Sequence, residues 1–200
     1  MKHLFAAIWI GLGIAVSSPL CAAGGDVKVI EGADKEDGSA IKGLRLASED
    51  EQAYLYFLCD ADKPRPQIMI THRHVIGRTT DPFKVYYKID DNGEQRHWFL
   101  VRGSGRTGYF FVRFPIEYKS RFGEQPSSFV EGGNAVNPEY QEWDRRIYAT
   151  VVHDFLTGRN ALVRIHDKQE EDHLYAFSLK GLAPKADALA SCYDPSIVAD

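Results

Sequence analysis

The chain lacks a long apolar run, a basic block and a CxxC pair, and each absence excludes a class of protein. The longest apolar stretch, Leu4–Val16, covers about 13 residues, fewer than the ~20 that cross a bilayer as a helix. Basic residues are scattered and the net charge is −4, which argues against binding of nucleic acid. Without a CxxC pair, a thiol redox site is not expected.

The first 23 residues have the three-part layout of a secretory signal peptide. Lys2 gives a positive start, the apolar stretch follows, and Cys21-Ala22-Ala23 places small side chains before a cleavage site. Leu20 does not fit the small residue that a lipobox needs before a lipidated Cys21. We therefore expect cleavage after Ala23 and a soluble mature protein that is periplasmic or secreted, with no transmembrane segment.

Loss of the leader leaves two cysteines, Cys59 and Cys192. In an oxidising compartment two such thiols are expected to pair, and the alternative is two unrelated buried thiols. The chain has 24 basic residues, one of which is Lys2, and 28 acidic residues, so the mature net charge is near −5. The length of the mature chain, 200 residues less the 23 of the leader, fits one domain.

Short apolar or aromatic segments between turn residues predict a mainly β fold. The predicted strands are Val27–Ile30, Ala53–Cys59, Gln67–Thr71, Phe83–Ile89, Gln95–Val101, Thr107–Phe114, Ala161–Ile165 and Leu174–Leu179. They indicate an antiparallel β-sandwich or open barrel of about seven or eight strands. Arg145–Leu156 fits either a strand or a helix, and Pro184–Cys192 predicts a short C-terminal helix.

Three further predictions concern organisation. Residues 24–51 are polar and are expected to form a loosely ordered lead-in, and residues 52–200 a single β-rich domain. Within that domain, the aromatic-rich segment 103–144 is predicted to be an insertion. Asn92-Gly93 predicts a type I′ hairpin turn, because both central residues of that turn need a positive φ.

Several features occur in an order that resembles known small exported bacterial β-sandwich proteins. They are a strand that ends in Cys59, an Asp-bearing hairpin before Trp98, the segment Asn160–Ile165, and the segment Phe177–Leu182 followed by a short helix and Cys192. The chain is similar here to VasI-type accessory proteins of type VI secretion and to invasion-associated locus B proteins. The resemblance covers residues 50–102 and 158–193 and implies a fold and a compartment more than an activity.

Catalytic and metal motifs are weak. His72 and His74 are two residues apart, so on a strand they would share a face. A metal would need a third ligand, such as His97, Asp90 or Asp91. The alternative interpretation is a solvated strand end, and we expect no bound metal or cofactor. Ser104 lies between glycines but not in a Gly-x-Ser-x-Gly elbow, and we interpret it as a turn residue.

Carboxylates could serve a hydrolase only if two of them faced each other across a groove. The candidates are Asp90, Asp91, Glu94, Glu117, Glu142, Asp144 and Asp154. The acidic run 167–172 is interpreted as a hairpin loop. Turn formation and surface solvation explain these residues equally well.

Aromatic side chains are concentrated in the segment 103–144, and aromatic and arginine side chains are enriched at protein interfaces. The alternative is a second small core. The residues expected to contact a partner are Tyr109, Phe111, Tyr118, Phe122, Phe129 and Trp143. We therefore expect a non-catalytic exported protein that binds a protein or cell-envelope partner, possible roles being a secretion-system accessory or an inhibitor-like factor. The alternative is a cell-envelope hydrolase that uses carboxylates or His72, His74 and His97.

Overall fold

The computed structural model describes residues 26–33, 38–60, 65–79, 81–111, 138–167 and 169–198. Within them lie nine strands, one α-helix and two 3-10 helices. The strands are β1 (Val27–Ala33), β2 (Ala40–Ala47), β3 (Ala53–Asp60), β4 (Gln67–His72), β5 (Pro82–Ile89), β6 (Gln95–Arg102), β7 (Thr107–Phe111), β8 (Asn160–His166) and β9 (Asp172–Ser178). The helix α1 is Pro138–Thr157, and the 3-10 helices are Ala183–Leu189 and Pro195–Ile197.

All nine strands belong to one antiparallel sheet with the order β1-β2-β3-β4-β7-β6-β5-β8-β9. The prediction of a mainly β, antiparallel fold is confirmed. The sheet is strongly curved. This is shown by a hydrogen bond of 2.8 Å in which the Glu49 N–H, in the turn after β2, donates to Ala176 O on β9. Strands that are distant in the sheet order therefore meet at one rim of the curved sheet.

Side chains alternate along each strand, so one face of the sheet forms the core. On β3, for example, Leu55 and Phe57 are buried whereas Tyr54 and Tyr56 are partly exposed. The same alternation on the neighbouring strands gives one contiguous apolar cluster that includes residues of α1. The opposite face, which we call the outer face, keeps partial contact with solvent.

Helix α1 covers part of the core face. Its buried residues recur with helical spacing at Tyr148, Val151, Val152, Phe155 and Leu156. The Phe155 ring lies 5.4 Å from the Phe57 ring and 5.2 Å from the Tyr87 ring, centre to centre. This apolar stripe decides between the two interpretations of Arg145–Leu156 in favour of helix, despite its β-branched residues.

The predicted disulfide between Cys59 and Cys192 is present, with Cα atoms 5.4 Å apart. It fastens the end of β3 to the chain that follows the first 3-10 helix. Closing a loop of 133 residues in the unfolded chain removes about 4–5 kcal/mol of its conformational entropy. The bridge is therefore a major contribution to the stability of a domain of this size.

Two local predictions differ from the structure. Residues 24–51 contain two strands rather than a loosely ordered lead-in with one, because Leu44 and Leu46 of β2 are fully buried in the core. The β5–β6 hairpin exists, but its turn is not type I′, since neither Asn92 nor Gly93 of the described chain has a positive φ. The positive φ of 48° belongs to Asp90.

Two further predictions concern the ends of a strand and of a helix. β7 is described only to Phe111, and the remainder of the predicted strand Thr107–Phe114 lies outside the described residues. The short C-terminal helix predicted at Pro184–Cys192 is present as a 3-10 helix over Ala183–Leu189, which ends three residues earlier than predicted. No helix in the described ranges is both long enough and apolar enough to cross a membrane.

Candidate functional site

Only one side chain of the predicted contact set is described. Tyr109 lies on the outer face of β7 and is partly exposed. Phe111 and Trp143 belong to β7 and α1, but their side chains lie outside the described part of the chain. Tyr118, Phe122 and Phe129 also lie outside it. The predicted insertion surface therefore stays a prediction, apart from the place of Tyr109.

Tyr109 belongs to a band of large side chains that runs across the outer face. The backbone register places Tyr56 beside Met69, Met69 beside Tyr109, and Tyr109 beside Leu100, with Trp98 two residues along β6. All five side chains are partly exposed. We call these five residues the outer band, and sequence analysis had placed only Tyr109 in a contact surface.

Cations lie along the outer band and beyond it. The Arg45 guanidinium lies 5.2 Å from the centre of the Tyr54 ring, and Lys84 Nζ lies 5.1 Å from the Trp98 ring. Further along the same face, the Arg164 guanidinium lies 4.0 Å from the Tyr86 ring. Such cation–π contacts at exposed sites stabilise the fold by roughly 0.5–1 kcal/mol each.

A second candidate site is formed where the curved sheet brings β4 against β9. The His72 ring centre lies 6.1 Å from that of His74 and 5.8 Å from that of His173. The rings of His74 and His173 stack 4.4 Å apart with an angle of 17°. We call these three residues the histidine cluster.

Hydrogen bonds fix two of the three imidazoles. His173 Nε2 lies 2.8 Å from Asp167 Oδ2, and His72 Nδ1 lies 3.1 Å from the Tyr175 hydroxyl. Asp167 is buried in the β8–β9 hairpin, and its other oxygen accepts from the N–H groups of Gln169 and Glu171. The acidic run 167–172 is thus a hairpin loop as predicted, but its first residue also orients His173.

The pKa values of His72 and Asp167 are both lowered in the folded chain. Burial, together with the neighbouring His173 and His74, lowers the pKa of His72 to about 4. Burial opposes ionisation of Asp167, yet the hydrogen bonds from His173 and from two backbone amides hold its pKa below the usual value. At neutral pH, the site therefore combines a neutral His72 with an ionised Asp167.

An open cavity of about 330 Å³ adjoins the cluster, and its lining residues are Glu51, Gln52, Tyr54, Thr71, His72 and Arg73. Glu51 has a φ of 55° in the turn between β2 and β3. The cavity offers ligands a polar approach on the side of His72.

The ligands proposed to complete the His72–His74 pair lie elsewhere. The His97 ring stacks on Tyr87, 5.5 Å from its centre, and packs against Phe110 on the core face. The Asp90 carboxylate accepts from the N–H groups of Arg159 and Asn160, which fixes the start of β8. The third histidine is instead His173, which no local sequence pattern connects to β4.

Three other candidate catalytic residues, Ser104, Glu142 and Glu94, lie in a turn or in ion pairs. Ser104 lies between Gly103 and Gly105, both with positive φ, in the tight turn that joins β6 to β7. Glu142 pairs with Arg145 and Arg146 on α1. Glu94 pairs with Arg164 on the outer face, which also pairs with Asp172.

Comparison with protein-family models, with curated proteins and with solved structures gave no match. Interpretation of the outer band and of the histidine cluster therefore depends on their own chemistry.

Proposed function

We propose that the chain is a non-catalytic exported protein that binds a protein or cell-envelope partner through the outer band. The observation that carries this proposal is the outer band itself, since tyrosine, tryptophan and methionine side chains are enriched at interfaces. Placement of five large, partly exposed side chains side by side is unusual for a face that meets only solvent.

Compartment and role form part of the same proposal. The signal-peptide pattern of residues 1–23 and the Cys59–Cys192 bond both fit a periplasmic or secreted protein. The resemblance to VasI-type and invasion-associated locus B proteins supports a role as a secretion-system accessory or as an inhibitor-like factor.

The test compares variants on one sheet face. Trp98→Ala and Tyr56→Ala remove outer-band side chains, and Leu174→Ala removes an exposed side chain of β9, on the same face but outside the band. Each protein is cross-linked in the envelope of its native host, and the partner is quantified. We expect at least tenfold lower yield of the same partner with the two band variants and full yield with Leu174→Ala. Unchanged yield in both band variants, with melting temperatures like wild type, would refute the proposal.

A cell-envelope hydrolase is the second candidate, and the histidine cluster is the observation that favours it. Three imidazoles, a buried carboxylate and an adjoining open cavity are groups from which the acid–base part of a hydrolytic site can be built. The discriminating measurement is hydrolysis of peptidoglycan and of simple esters. Activity that His173→Gln abolishes, in a variant that still folds, would favour the hydrolase over the binding protein.

A further inference from the structure

The ring centres of the histidine cluster lie about as far apart as those of histidines that share a metal ion. Zinc–nitrogen bonds of about 2.0–2.1 Å place the ring centres of tetrahedral histidine ligands roughly 5 Å apart. The three distances between ring centres, 4.4, 5.8 and 6.1 Å, lie on both sides of that value. The His74 and His173 rings stack face to face, so their nitrogens reach a common point only after the exposed His74 ring rotates out of the stack.

One of those nitrogens is buried without a hydrogen bond. The His72 side chain is only 5% exposed, and its Nε2 has no partner among the described residues. Buried polar atoms of this kind are rare in native proteins and call for a specific explanation. Since Nδ1 of the same ring faces the Tyr175 hydroxyl, Nε2 is the nitrogen left for a ligand.

The hydrogen bond to Asp167 also prepares His173. An ionised carboxylate only accepts, so His173 Nε2 carries the proton and Nδ1 keeps its lone pair. A carboxylate behind a ligating histidine is a recurrent arrangement in metal sites, where it fixes the ring and increases its basicity. The two backbone N–H groups that bind Asp167 hold this carboxylate in place.

Charge near the cluster is mixed. Arg106 lies close enough to His72 to disfavour a second positive charge there. The carboxylates of Asp167 and Glu171 offset the charge of Arg106. One potential ligand atom of each lies within 4.8 Å of the other and of a nitrogen of His173. The two carboxylates leave the site suited to a cation.

We propose that His72, His74 and His173 bind a divalent transition metal, with Asp167 as the positioning residue for His173 and Glu171 or water as the fourth ligand. Neutral imidazole ligands favour zinc, copper or nickel over magnesium or calcium. The sequence suggested His97, Asp90 or Asp91 as a third ligand, whereas the structure places His173 beside the pair. The inference is independent of the partner-binding proposal.

The test uses the purified, untagged protein after removal of metals with a chelator. Zinc is titrated by calorimetry, and cobalt binding is followed by its visible absorption, which distinguishes tetrahedral from octahedral coordination. We expect one zinc per chain and micromolar or tighter affinity. His74→Gln and His173→Gln should each weaken zinc binding at least tenfold, and Asp167→Asn about 10–100-fold, as for other residues behind a metal ligand.

His74→Gln is the decisive variant because His74 is exposed, so its replacement does not disturb the core. His166→Gln is the matched control, since His166 is an exposed histidine of β8 that pairs with Asp172 outside the cluster. Its zinc affinity should equal that of wild type. Absence of stoichiometric zinc binding in wild type, or unchanged affinity in both His74→Gln and His173→Gln, would overturn the proposal.

Discussion

His72 is buried and His97 is partly buried, and burial is the largest cause that lowers the pKa of each to about 4. Their neighbours nevertheless differ. His72 lies at the rim of the sheet beside two other histidines, a hydroxyl and an open cavity. His97 stacks on Tyr87 beneath helix α1 and packs against Phe110. A perturbed pKa alone therefore does not distinguish these two histidines, and their neighbours have to be compared as well.

The two regions also resemble each other in one respect, because in each a tyrosine hydroxyl faces the histidine ring. Tyr175 faces His72 Nδ1 at 3.1 Å, and the Tyr87 hydroxyl lies 3.5 Å from His97 Nε2. Burial raises the pKa of Tyr175 to about 12, and burial together with Asp154 raises the pKa of Tyr87. Both hydroxyls are protonated at neutral pH, so the matched pair allows the two regions to be tested with the same substitution.

The largest expected effect separates the core beneath α1 from the rim. Phe155→Ala removes a ring that packs against Phe57 and Tyr87, and it should cost about 3–5 kcal/mol of unfolding free energy, as for other buried Phe→Ala changes. Zinc affinity of the folded variant should be unchanged. Chemical denaturation and calorimetry measure the two quantities, and a loss of zinc binding by folded protein would show that the regions are coupled.

The next prediction concerns pH. Because the pKa of His97 is lower in the folded than in the unfolded chain, the unfolded state binds more protons below pH 6.5. Stability should be complete above pH 6.5 and fall as the pH approaches 4. Between pH 7 and pH 5, His97 alone accounts for a loss of about 2 kcal/mol.

The variant His97→Phe isolates that contribution. It keeps an aromatic ring beside Tyr87 but has no group that titrates. Its unfolding free energy, measured by denaturation at pH 7 and pH 5, should decline by about 2 kcal/mol less than that of wild type. Equal declines in the two proteins would show that His97 is not held neutral by burial.

Sequence reasoning identified what short-range patterns determine. Strands with alternating or apolar character were recognised, and the pairing of Cys59 with Cys192 was correct. The strand Ala40–Ala47 was not predicted, because its charged and glycine residues obscure the alternation of buried and exposed side chains. That alternation is established when the segment pairs with β3. The prediction of a type I′ turn at Asn92-Gly93 was wrong. The Asp90 carboxylate instead accepts from the N–H groups of Arg159 and Asn160, a contact between distant parts of the chain that local sequence does not show.

The histidine cluster also depends on contacts between distant parts of the chain, which local sequence patterns do not show. His72 and His74 are close in sequence, and their interest was visible there. His173 is about 100 residues away and joins them only because the sheet curves until β9 reaches the turn after β2. A histidine that follows an acidic hairpin was the one available signal, and it does not specify which strand lies opposite.

The smallest expected effect uses the two tyrosines. Tyr175→Phe leaves His72 Nδ1 without its hydroxyl partner and should cost about 1 kcal/mol of unfolding free energy, the net worth of one buried hydrogen bond. Because that hydroxyl also holds the His72 ring, zinc affinity should fall several-fold. Tyr87→Phe should leave zinc affinity unchanged, since Tyr87 contacts His97 and Asp154 instead. Calorimetry on the two variants measures this difference directly. Equal zinc affinities in both would mean that Tyr175 does not position His72 for metal binding.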